Sequence, residues 1–218
     1  MADRPDLASL LRSAGAGSFP VADSGWSRAA PWLAGLEGVV AFTGHSVMVV
    51  DQSVSDAELA ALGVDGLGGA HDPRVAVALA GAGQIEVLDT VLVRHGTGEP
   101  SELVPRPDLA EHPRVRHARA VRREVQVWGL PGPRQHSVLT LARGIAGLPE
   151  ISIETSPPLP SGWTAGRLLH GALALVPFDE LVLACVSPGH ARSVRLFLRC
   201  GFVPVGSVQL WRPQRRSD

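Results

Sequence analysis

A chain of 218 residues that is 45% hydrophobic and 19% charged can bury a sizeable core, in one large domain or two small ones, and is not a disordered polymer. Its formal net charge of −1 gives no global electrostatic reason to bind nucleic acid or an acidic membrane surface. Lys, Tyr and Asn are absent and all 20 basic residues are Arg, which excludes a Walker-type phosphate loop, a pyridoxal Schiff base and a phenolic general acid.

The first residues lack the apolar core of a signal peptide, and no apolar run reaches membrane-spanning length, so a cytoplasmic protein without a membrane partner is expected. Residues 5–13 predict an amphipathic helix with Leu7, Leu10 and Leu11 on one face. The Gly- and Pro-rich stretch to Gly35 reads as irregular, anchored by Trp26 and Trp32. Residues 38–51 predict a hairpin turning near Gly44 and His45. Ser55 and Glu58 have capping-box spacing for a short helix through Leu62, and Asp72-Pro73 is an N-cap followed by proline at the first helical position. Residues 85–95 read as a strand. Pro100, Pro105, Pro107 and Pro113 crowd the next stretch, which places a boundary there: residues 1–105 as an N-terminal α/β segment, 106–213 as the main domain and 214–218 as a basic tail.

Residues 112–125 predict a helix with Val115, Ala118, Val121 and Val125 along one stripe. Its Arg114, Arg116, Arg119, Arg122 and Arg123 read as the solvated side of that helix, and no nucleic-acid partner is expected. Strands follow on both sides of the Pro131-Gly132-Pro133 turn, and residues 150–155 add a third, giving an antiparallel meander. After Pro157-Pro158 the small residues of 161–166 predict a loop leading into a leucine-rich helix that stops at Pro177. A continuous apolar strand over 181–186 and a helix over 191–200 come next, then Gly201-Phe202 and a closing strand. Strand, loop, helix and strand in that order make a parallel crossover unit, whose helix N-terminus suits a phosphate. Cys185 and Cys200 fall in a predicted strand and helix and read as buried thiols. The helix-then-strand order of 73–93 loosely echoes that of 166–186, which reads either as a coincidence of two amphipathic units or as a degenerate internal repeat.

The last hundred residues resemble the GNAT superfamily of acyl-CoA-dependent N-acetyltransferases, in which a short helix carrying small and Arg residues runs into Gly-Phe and a final hairpin. The resemblance implies a mixed α/β sheet of the GNAT-like acyl-CoA N-acyltransferase fold, with the N-terminal segment as an accessory α/β segment or a degenerate GNAT-like half. It implies acetyl-CoA as co-substrate and an amine acceptor, either a small molecule or a peptide. Pantetheine is expected along Ile153, Glu154 and Thr155, and the pyrophosphate over Gly162, Trp163, Thr164, Ala165, Gly166 and Arg167, with His190 as a further cofactor contact. The family's Gln/Arg-x-x-Gly-x-Gly/Ala pattern is matched only at Gly166; Ser161 and Thr164 hold its other positions.

Amine acetylation needs a base, because a primary alkyl amine has a pKa near ~10. Glu150, Ser152 and Glu154 alternate with Ile151 and Ile153 and so share one face of a strand. Glu154 is the first candidate base and Glu150 the second; a solvated or salt-bridged structural carboxylate is the alternative for each. Where many family members carry Asn and then an acidic Tyr, this chain holds His190 and Phe197, which leaves Ser193, Cys200 or a water to protonate the leaving thiolate. His spacing fits no zinc pair and no C-x-x-C occurs, so no metal is expected, and Ser161 and Ser187 lack a nucleophile elbow. The leading expectation is an N-acetyltransferase; the alternative is a GNAT-fold protein that binds acyl-CoA or regulates without turnover. Oligomeric state is open, a homodimer included.

Overall fold

The computed structural model describes residues 6–132, 137–155 and 161–214, without the side chains of Ser161 and Gly162. In chain order the elements are α1 (Leu7–Gly15), β1 (Trp26–Ala29), β2 (Glu37–Phe42), β3 (His45–Val49), α2 (Asp56–Ala61), α3 (Pro73–Ala80), β4 (Gln84–Ile85) and β5 (Asp89–His95). They continue as β6 (Val104–Pro105), α4 (Pro113–Val121), β7 (Arg123–Gly129), β8 (Val138–Arg143), β9 (Pro149–Glu154), α5 (Ser161–Leu175), β10 (Leu181–Val186), α6 (Ala191–Arg199) and β11 (Val203–Arg212). The chain is mixed α/β, as expected.

Two compact units result. The first comprises residues up to Val91 together with Val205 onward; the second runs from Leu92 to Pro204. The expected boundary near residue 105 is thus displaced, and the closing strand belongs with the first unit. The reason is pairing: β11 runs antiparallel to β2, with Trp211 opposite Glu37.

In the first unit the sheet order is β1-β3-β2-β11, with β4 beside β11. The expected hairpin is β2 and β3, closed with Phe42 opposite His45 around Gly44, whose φ of 74° only glycine adopts freely. Asp72 caps α3 by accepting the Arg74 N–H at 2.8 Å, and Ser55 Oγ caps α2 by accepting the Glu58 N–H at 3.1 Å. The Gly-rich stretch is not wholly irregular: β1 lies in it, parallel to β3. Val39, Met48, Leu59, Leu79 and Trp211 build the core. The Trp211 indole N–H donates to Glu37 Oε2 at 3.2 Å, which satisfies a polar atom deep in that core.

The second unit carries the order β5-β10-β9-β8-β7-β6. β7, β8 and β9 form the expected antiparallel meander. The run expected as one strand over 85–95 is instead β4 and β5, separated by an exposed break at Val87-Leu88. α5 packs Leu168, Leu169, Ala172 and Leu173 against Ile151, Val182 and Ala184. Each such leucine contributes about 1.5–3 kcal/mol by leaving water. α6 joins the same core through Phe197, which meets Phe202 edge-on with ring centroids 5.0 Å apart. α4 lies against β7, β8 and β9, burying Val115, Ala118 and Val121. Among the described residues no helix is long and apolar enough to cross a membrane.

Candidate active site

β9 and β10 run parallel, and among the described residues their pairing is registered only at Leu183 opposite Glu150. On its other edge β9 stays paired with β8 through to Glu154, opposite Val138. The end of β9 is therefore held on one side and open on the side facing β10. Such a splay exposes strand amides that a ligand can pair with.

A cleft of about 270 Å³ opens at this end. Its lining takes Ile153 and Glu154 from β9, Thr155 just after it, Ala165 from α5, and Arg192, Ser193, Leu196 and Arg199 from α6. Arg114 of α4 also lines it. Three guanidinium groups and one carboxylate make the cleft cationic, which suits a phosphate-bearing ligand.

Several expected residues stand together here: Ile153, Glu154, Thr155, Ala165 and Ser193. Glu154 is half-exposed at the rim, with Arg114 Nε 3.4 Å from Oε2 and His112 Nε2 3.9 Å from Oε1. His112 itself caps α4 by accepting the Arg114 N–H on Nδ1 at 3.2 Å. In the neutral ring that leaves Nε2 as the protonated nitrogen, turned toward Glu154.

Other expectations need correction. Glu150 is buried: Oε1 accepts from Arg122 Nε at 2.8 Å and Oε2 from the Ile145 N–H at 3.3 Å. Arg122 also donates to Ser152 Oγ at 3.2 Å, and that hydroxyl sits 2.7 Å from Thr140 Oγ1. Glu150 is therefore the carboxylate of a buried ion pair, with no path to an acceptor amine. Arg122 correspondingly lies inside rather than on the solvated side of its helix. The expected common face of Glu150, Ser152 and Glu154 is observed, because all three meet α4 or its C-terminal cap, Arg122.

The segment 161–166 is not a loop but the first turns of α5. Thr164 is buried, and its hydroxyl has no partner among the described residues. Trp163 is exposed and stacks under the Arg167 guanidinium, whose carbon lies 4.6 Å above the ring centre. Arg167 is committed further, since its Nε donates to Glu102 Oε1 at 2.8 Å. That carboxylate holds Arg167 above its ordinary pKa, and the guanidinium in turn holds Glu102 below its own. Gly166 differs: a Cβ built there meets nothing within 4 Å, so there is room beside the helix for a ligand group. Gly162 lies in the first turn of the same helix. His190 is the exposed N-cap of α6, makes no side-chain cap bond and does not line the cleft. The expected prolines 157 and 158 and the tail 215–218 lie outside the described residues.

Sequence reasoning missed Arg114, Arg192 and Arg199 as cleft residues. Arg192, Leu196 and Arg199 follow an i, i+4, i+7 stripe on α6, a signal that was readable. Cys200 is buried, and that burial pushes its thiol up, away from the reactive thiolate. Among the described residues no three His, Cys, Asp or Glu side chains gather as a metal set.

No family model and no curated protein matches the chain in sequence. Among solved structures it is similar to one from Novosphingobium aromaticivorans assigned to the GNAT family of acetyltransferases, at 16% identity and a TM-score of 0.41, over 62% of this chain and 69% of that one. It is also similar to a Drosophila protein from structural genomics, at 11% identity and a TM-score of 0.46, over 99% of this chain and 69% of that one. The meander of β7, β8 and β9 and the parallel crossover from β9 through α5 to β10 give the second unit a mixed α/β fold.

Proposed function

We propose that the chain is an N-acyltransferase that moves an acetyl group from acetyl-CoA to an amine of a small molecule or peptide. The supporting observation is the opening between β9 and β10 onto an arginine-lined cleft with Glu154 at its rim. The residues fit the co-substrate. Open amides along β9 suit pantetheine, Arg192 and Arg199 supply charge for phosphates, and the space over Gly166 admits them beside the start of α5.

In the reaction the amine nitrogen bonds to the thioester carbon as the carbon–sulfur bond breaks. Glu154 accepts the proton that the amine sheds, and a β9 amide polarises the carbonyl. Phe197 is buried and cannot donate a proton, so the Ser193 hydroxyl, which lines the cleft, relays a solvent proton to the leaving sulfur.

The test is thermal unfolding with acetyl-CoA, followed by thiol release against an amine panel. A ligand bound only by the native state at 100 times its Kd adds about 2.7 kcal/mol. Stabilisation with thiol release is the expected result. Stabilisation without release from any amine would identify an acyl-CoA-binding or regulatory module, and no shift at saturating acetyl-CoA would overturn both readings.

A further inference from the structure

A second cluster of reactive side chains lies in the first unit. β1 and β3 pair so that Ser27 stands opposite Val47. Side chains alternate along a strand, so His45, two residues before Val47, shares the face of Ser27. Ser27 Oγ lies 3.0 Å from His45 Nε2, and Asp23 Oδ1 lies 2.9 Å from His45 Nδ1. The Gly25 N–H also donates to Asp23 Oδ1 at 2.8 Å, which fixes the carboxylate.

The carboxylate selects the tautomer. With Asp23 accepting from Nδ1–H, the lone pair of Nε2 is left to accept from the Ser27 hydroxyl. A serine, a histidine base and an orienting carboxylate in that order define an activated nucleophile, whatever the fold.

The surroundings suit acyl chemistry. β1 ends its sheet, and the Ser46 N–H donates to Gly25 O at 3.2 Å. In a parallel ladder this turns Gly25 and Ser27 toward β3 and puts the Arg28 N–H on the outer edge. That amide follows the serine directly, the position from which a main-chain donor can meet a developing oxyanion. A Cβ on Gly66 would come within 2.6 Å of both Gly25 O and Gly44 O, so a third segment clamps the backbone that carries the cluster. Val21 and Leu67, on the flanking segments, are 81% and 73% exposed and offer apolar surface to a hydrocarbon group.

We propose that Ser27, His45 and Asp23 form a second catalytic site, which hydrolyses small acyl esters. Ser27 Oγ bonds to the ester carbon while its proton passes to His45 Nε2. The carbon–oxygen bond of the ester breaks, and the alcohol leaves with that proton. Water then attacks the acyl-serine, again giving its proton to Nε2, and the carboxylic acid leaves as Ser27 Oγ regains the proton.

An alkyl fluorophosphonate applied to the full chain, with the labelled peptide mapped by mass, reads this directly. The expected result is one label per chain, on Ser27. p-Nitrophenyl acetate should be turned over, and both activities should vanish in Ser27→Ala and slow about 100-fold or more in His45→Gln. No label above a heat-denatured control, or a label mapped to another serine, would overturn the proposal without recourse to any variant. So would equal labelling rates in His45→Gln and the parent chain. The assay contains no coenzyme A, so its outcome is independent of the cleft in the second unit.

Discussion

Arg114 Nε stands 3.4 Å from Glu154 Oε2, so a carboxylate at the mouth of the cleft is steadied by the first turn of α4. The pair is half-exposed and solvent-screened, so it contributes little to stability; what it supplies is orientation. The carboxylate is thereby held at the end of β9, beside the cleft.

If Glu154 takes the amine proton, Glu154→Gln lowers kcat by about 100-fold or more while the acetyl-CoA thermal shift persists. The side chain keeps its shape and loses its charge and its basicity. Steady-state kinetics on the best amine of the panel would check this, and an unchanged kcat would remove Glu154 from the mechanism.

Glu150 should behave quite differently. Its carboxylate and the Arg122 guanidinium are both buried, and a Cβ on Gly144 would collide with that carboxylate. Glu150→Ala leaves the guanidinium buried without its counter-charge, which costs about 3–5 kcal/mol. The double change Glu150→Leu with Arg122→Met removes both charges and should recover most of that loss. Denaturant unfolding measures both, and a single variant as stable as the parent would refute the buried-pair reading.

These two acids mark what could be read from the chain and what could not. Their shared face followed from strand alternation, which is local. Which of them would be buried depended on Arg122, 28 residues earlier in the chain and on another element, and no local pattern carries that. The caps at Ser55 and Asp72 were legible because a cap is a contact within a few residues. β1 was not legible: it is four residues long and half-buried throughout, so it shows no alternation, and its partner β3 is a strand distant in sequence. The start of α5 was obscured by its small residues, which suit a loop. The buried set Thr164, Ala165, Leu168 and Leu169 nonetheless has helical spacing.

Gly166→Ala separates folding from binding. Within α5 the new methyl meets open space, and exchanging Gly for Ala inside a helix stabilises by about 0.5–1 kcal/mol. If the phosphates of acetyl-CoA occupy that space, the same methyl intrudes on them. The expected outcome is a higher melting temperature without ligand and acetyl-CoA affinity weakened about tenfold, or ~1.4 kcal/mol. Unchanged affinity would move the phosphates away from Gly166.

His71 should make the first unit sensitive to mild acid. Its Nε2 lies 2.9 Å from Ser207 Oγ, while Nδ1 is buried with no partner among the described residues. Burial holds its pKa below the ordinary 6.5. The unfolded chain therefore binds a proton at a pH where the native state still refuses it, and stability falls as pH drops below about 6.5 until the lowered native value is reached. Above that window the contribution is fully present. Asp72 acts in a separate, more acidic window: hydrogen bonds from the Arg74 side chain and backbone hold it at about 2, below its ordinary 3.8. Its stabilisation is complete above its ordinary value and is lost as pH falls through about 2. Thermal unfolding from pH 7 to 5 should thus show a fall in melting temperature that is smaller in His71→Gln, and parallel curves for the two chains would sink the assignment.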